Sequence, residues 1–144
     1  MKTGILLMLS FAAAEDLKRR SIPVLPVIAA SLLLLCLRYG YFHQSFELQA
    51  FLAGLIPGAA FFMISAVSRG AAGSGDALIL LLIGMLTGFW ETGAICFLAL
   101  VLTGFSGLAL MAAGKAGRKS QLPFIPFILI SYVLLLASGF LELL

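Results

Sequence analysis

The sequence predicts an all-α, polytopic integral membrane protein with about six transmembrane helices. Three observations carry this. Hydrophobic residues make up 62% of the 144 positions and charged residues only 10%, against roughly 45–50% and about 25% in an average soluble domain. The apolar residues fall into runs, several of them long enough to cross a bilayer. Most of the basic residues sit in the short gaps between those runs. A chain of this length cannot bury so much apolar surface in a water-soluble fold, so the surplus faces lipid. One compact membrane domain over residues 1–144 follows, with no room for a second.

Six apolar segments can be drawn, at residues 3–14, 22–39, 48–67, 77–89, 93–113 and 124–143. A spanning helix needs about 20 residues, and about 17 at the short end. The second, third, fifth and sixth segments meet that requirement. The first and fourth are short. Their helices either continue into the polar flanks or stop within the membrane against other helices. The first segment also has the outline of a signal peptide: Lys2, an apolar stretch, then Ala12, Ala13 and Ala14. Cleavage there would leave Lys18, Arg19 and Arg20 outside, against the charge rule, so the segment is read as the first span.

Charge orients the bundle. Lys18, Arg19, Arg20, Arg69, Lys115, Arg118 and Lys119 lie in alternate gaps, and only Lys2 and Arg38 lie on the other side. The positive-inside rule places the odd-numbered gaps in the cytosol and both termini outside. Glu47, Glu91 and Glu142 then fall outside, and Trp90 and Tyr41 fit an outer interfacial belt. The net charge of +3 reflects this topology and is no signal for nucleic acid.

Several small features have structural readings. Gly54 with Gly58, and Gly84 with Gly88, have the spacing that lets helices approach closely in lipid. Pro57 is expected to kink the third helix. Cys36 and Cys96 lie far apart in apolar runs and are read as buried apolar side chains. With one histidine, His43, they make neither a disulfide framework nor a zinc site.

The chain has only two aspartates, Asp16 and Asp76. Asp16 ends the first segment and Asp76 precedes the fourth, so both fall at the cytosolic ends of their segments. Only tertiary packing could join residues so far apart in sequence. Ionisable groups at a bilayer are functional candidates by default. Each also has a plain reading: Asp16 as an interfacial residue solvated beside the three basic ones, and Asp76 as a helix N-cap after Gly73-Ser74-Gly75. Physics alone leaves both open.

The stretch Asp16-Leu17-Lys18-Arg19-Arg20-Ser21-Ile22-Pro23 resembles the first block of the prepilin peptidases, in which an Asp at a helix end precedes basic residues and an Ile-Pro or Leu-Pro. Gly73-Ser74-Gly75-Asp76 resembles that family's Gly-x-Gly-Asp block. Leu122-Pro123-Phe124-Ile125-Pro126-Phe127 is similar to the Pro-Phe-x-Pro-Phe that opens its last helix. One four-residue block is a weak match; three in order, each at a helix end, are a strong one. Two positions depart from the family pattern: Leu78 where a Lys is usual, and Val24 where Asn or Asp often follows the first block's Pro. No cytosolic segment with paired cysteines is seen, which points to the small, peptidase-only branch serving Flp-type (Tad) pili.

The resemblance implies catalysis by Asp16 and Asp76 with no metal or other cofactor. It implies a prepilin substrate, cut where its basic leader meets its apolar helix, in the bacterial cytoplasmic (inner) membrane with the active site facing the cytosol. Gly73 and Gly75 are expected to allow unusual backbone shape and close substrate approach, and Pro123 and Pro126 to belong to the same motif set. A basic leader would be repelled by Lys18, Arg19 and Arg20, so those residues are read as contacts for anionic lipid. The competing class is a non-catalytic membrane scaffold, transporter fragment or degenerate relative, for which Leu78 is the best argument.

Overall fold

A computed structural model describes residues 2–19, 24–41, 48–67, 74–114 and 123–139. Those residues form six α-helices and no strand. They are α1 (Lys2–Arg19), α2 (Val24–Cys36), α3 (Leu48–Val67), α4 (Ser74–Thr87), α5 (Phe89–Ala112) and α6 (Ile125–Ala137). A π-helical turn, Leu37–Tyr41, extends α2.

The two short segments resolve differently. α1 runs on through Glu15, Asp16 and Lys18, because its inward face is satisfied by neighbours over its whole length. α4 stays at 14 residues, about 21 Å at 1.5 Å per residue, too short to cross the apolar layer unaided. It is instead the central helix: Ala77, Ile79, Leu80, Ile83 and Leu86 are fully buried, and α2, α3 and α5 pack around it. α1 lies against α2 and α6, and α6 against α5.

α3 and α4 approach through glycine. A Cβ on Gly54 would fall on the Gly84 carbonyl oxygen, and one on Gly58 would strike the Leu81 backbone nitrogen. Numbers rise along α3 as they fall along α4, so the two are antiparallel. Gly88 belongs to the same seam, its Cα 3.2 Å from where a Gly54 Cβ would stand, and it also makes the turn. Its φ of 102° is open to glycine and strained for other residues, and it alone separates α4 from α5. The fifth segment therefore starts at Phe89 instead of residue 93, and Glu91 stands in the first turn of α5 rather than in a loop. Pro57 lies inside a continuous α3. α6 stops at Ala137 ahead of Gly139, whose φ is 70°, although the apolar run continues.

Large apolar side chains cover the outside: Leu25, Leu32 and Leu33 on α2, Phe62, Met63 and Ile64 on α3, and Phe97, Phe105 and Leu108 on α5 are all exposed. Water disfavours contiguous apolar surface on this scale. α3 and α5 are long and apolar enough to cross a membrane, and the apolar helices over 25–40, 75–87 and 125–137 are shorter. Trp90 is 70% exposed at the start of α5. Cys36 departs from the expected burial: it is exposed on α2, and Cys96 is half-buried. Apolar surroundings in sequence mark a residue as compatible with lipid or core without choosing between them.

Candidate active site

α1 buries Ile5, Met8, Leu9, Ala12, Ala13 and Asp16. This is the three-four spacing of one helix face, and Asp16 is its last member. The inward stripe of α1 thus ends in a carboxylate only 8% exposed. Asp16 is therefore not the solvated interfacial residue of its plain reading. On α4, Asp76 sits three and four residues before Ile79 and Leu80, which are buried, so it continues the stripe that faces the core. α4 begins at Ser74, which places Asp76 within the first turn and not at the N-cap. The first-turn amide groups and the helix dipole there favour a negative charge.

Asp16, near the end of α1, and Asp76, in the first turn of α4, are close enough for the charge of one to act on the other. The Asp16 carboxyl acts on Asp76 through space as a charge neighbour. The amide of Ile125, at the start of α6, faces the Asp16 carboxyl. Two helix N-termini, those of α4 and α6, therefore converge on the pair. Asp16 Oδ2 is buried with no hydrogen-bond partner among the described residues. A buried, unpartnered carboxylate oxygen costs free energy, and a water or a substrate group could supply the missing partner.

The N-terminus of α6 is held by aromatic packing. Phe124 stacks on Phe61 of α3, with ring centroids 5.2 Å apart and planes 10° from parallel. Pro126 occupies the first turn of α6, where a missing N–H costs nothing. Pro123 precedes it and is half-buried. Gly75 is half-buried within α4 and helical, so the special backbone shape expected there is not found. Gly73 and Arg20 lie outside the described residues, as does the side chain of Arg19. Lys18 is exposed. Leu78 is half-buried on α4, about 200° around the helix from Asp76.

Sequence reading missed Ile125 and Phe61. A main-chain amide carries no residue-type signal, and a phenylalanine among 12 is not distinguished by its neighbours in the chain.

The model of the type IV leader peptidase family matches residues 4–140. No curated protein and no solved structure matches the chain.

Proposed function

The chain belongs to the type IV leader peptidase family, and from that premise we propose that it is a membrane aspartic endopeptidase that removes the short basic leader from type IV or Flp-type prepilins, with Asp16 and Asp76 as the catalytic pair. The observation that carries this reading is their convergence. The only two aspartates of the chain, on different helices, both end inward-facing stripes, and the Asp16 charge acts on Asp76.

Two carboxylates in one site cannot both ionise easily, so the pair holds one proton between them. The ionised member takes a proton from water, and the hydroxide equivalent attacks the scissile carbonyl carbon. The protonated member donates to the developing oxyanion. Collapse of the tetrahedral intermediate then breaks the C–N bond, and a proton passes to the leaving amine. The pair titrates as a unit. No metal or other cofactor enters the scheme.

The six helices are read as six passes with both termini outside and the aspartates at the cytosolic face of the bacterial inner membrane. The cytosolic leader and membrane-embedded helix of a prepilin then meet the site at their junction. Lys18, Arg19 and Arg20 are assigned to anionic lipid.

The test is prepilin processing in a membrane co-expression assay, comparing wild type with Asp16→Asn and Asp76→Asn at equal insertion. Cleavage by wild type alone supports the pair. Cleavage that survives either substitution refutes the assignment. An uncut prepilin across several Flp-type substrates would favour the non-catalytic alternative, for which Leu78 speaks.

A further inference from the structure

The Tyr132 hydroxyl donates to the Lys2 carbonyl oxygen at 3.1 Å, a bond from α6 to the first turn of α1. Tyr132 is 1% exposed, so the bond is made inside the bundle. Ser10 on α1 and Ser131 on α6 use their hydroxyls differently. Each donates at 2.8 Å to a carbonyl of its own helix, that of Leu6 and that of Phe127. Those two bonds do not bear on how the helices sit against each other. The tyrosine bond crosses from one to the other.

α1 and α6 pack on each other, and each buries one stripe: Ile5, Met8, Leu9, Ala12 and Ala13 on α1, and Ile125 and Ile128 on α6 below Tyr132. Such stripes repeat with every turn. A slip of one turn, about 5.4 Å, exchanges one aliphatic contact for another like it, so apolar packing alone fixes the pair poorly along its length. The register matters at Asp16, which closes the α1 stripe and is faced by the Ile125 amide at the start of α6. A misplacement of about 1 Å at a reacting group can cost about a hundredfold in rate. α1 rises about 21 Å from Lys2 to Asp16, and α6 about 10 Å from Ile125 to Tyr132. Side-chain reach makes up the difference, and the rigid phenol contributes a fixed length.

We propose that Tyr132 locks the register of α6 on α1: its hydroxyl, bonded to the Lys2 carbonyl oxygen, fixes α6 lengthwise and so holds the first turn of α6 at Asp16. Tyr132 is a positioning residue. It acts through the two helices, from the end of α1 that lies furthest from Asp16. Its partner is a main-chain carbonyl in the first turn of α1, whose second lone pair is open to a bond from outside the helix. The proposal rests on Asp16 as a working residue of the site, and its test separates the two.

The experiment uses the full chain in membranes, with Cys36→Ser and Cys96→Ser to remove the native thiols. Asp16→Cys is paired with Ile125→Cys or, about one turn along α6, with Ile128→Cys, and the disulfide yield is measured with Tyr132 and with Tyr132→Phe. Prepilin cleavage is measured in chains that keep Asp16, Ile125 and Ile128. With Tyr132 the yield to Ile125→Cys should exceed that to Ile128→Cys several-fold, and Tyr132→Phe should bring the two close to equal. The same substitution should lower kcat about tenfold with KM within about twofold, as expected of lost positioning. If Tyr132→Phe does not insert, Lys2→Cys with Tyr132→Cys decides: joined by a short bifunctional thiol reagent, the pair should regain cleavage that it lacks when unjoined. In a chain that cleaves prepilin, well-inserted Tyr132→Phe with either readout unchanged overturns the lock, as does cleavage indifferent to the joining of Lys2→Cys and Tyr132→Cys. Pairing that depends on Tyr132 in a chain that never cleaves prepilin supports the lock and overturns the proposed reaction. Equal yields to Ile125→Cys and Ile128→Cys with Tyr132 intact overturn the lock.

Discussion

The ring of Phe61 lies flat on the ring of Phe124, 5.2 Å between centroids, and Phe124 immediately precedes the Ile125 amide that faces Asp16. Phe61 also stands one turn from Gly58, where α3 meets the backbone of α4. α3 thus touches the frame of each aspartate without carrying either. Both rings are 7% exposed, so the stack is sealed from its surroundings. Phe61→Leu is expected to lose about 1 kcal/mol from the ring contact and to slow prepilin cleavage, while Phe61→Tyr keeps the stack and the rate. Thermal unfolding in micelles and cleavage rates check this. Equal rates in all three chains would show that the stack is not felt at Asp16.

Either Asp16→Asn or Asp76→Asn should reduce cleavage by about 10²–10⁴, the contribution typical of a positioned acid or base. A pair that shares one proton also fixes the form of the pH profile. The rate falls on the acid side as the ionised member is protonated, and on the alkaline side as the shared proton is lost. A bell-shaped kcat/KM profile is expected in vesicles. A monotonic profile would be incompatible with a one-proton pair.

The α3–α4 seam predicts a contrast between glycines. Gly54→Ala or Gly84→Ala places a methyl on the opposing carbonyl, and overpacking of this kind costs about 1–3 kcal/mol. Gly93 and Gly104 have open space where a Cβ would stand, so Gly93→Ala and Gly104→Ala should be neutral or slightly stabilising. Melting temperatures of the four variants distinguish them. Loss at Gly93 equal to that at Gly54 would remove the seam as the explanation.

Replacing Lys18, Arg19 and Arg20 together with Gln should disturb membrane insertion more than cleavage per inserted molecule, because positive charge beside a span sets orientation. Accessibility of introduced cysteines to a membrane-impermeant reagent reports orientation, and cleavage is normalised to inserted protein. Normal orientation with lost cleavage would instead assign the cluster to substrate.

Sequence alone determined what depends on the run of apolar residues and on their interruption. It defined α3 over residues 48–67 as observed, singled out Asp16 and Asp76, and matched Gly54 and Gly58 to close helix approach. Those properties are local, since hydropathy and spacing are read within one segment. It misplaced the start of α5 because Trp90 and Glu91 look like a loop until Gly88 is seen to make the whole turn. It also read Cys36 as buried, because core and exposed apolar face share one composition.

Only the tertiary structure decided which faces meet. It aimed the Ile125 amide at Asp16, laid Phe61 on Phe124, and brought the Tyr132 hydroxyl to the Lys2 carbonyl oxygen, on helices far apart in the chain. The physical reason is that an apolar helix shows its neighbours nearly the same surface all round. Its rotation and partners are then chosen by the fit of small residues, rings and a few polar groups across helices, which no single segment contains.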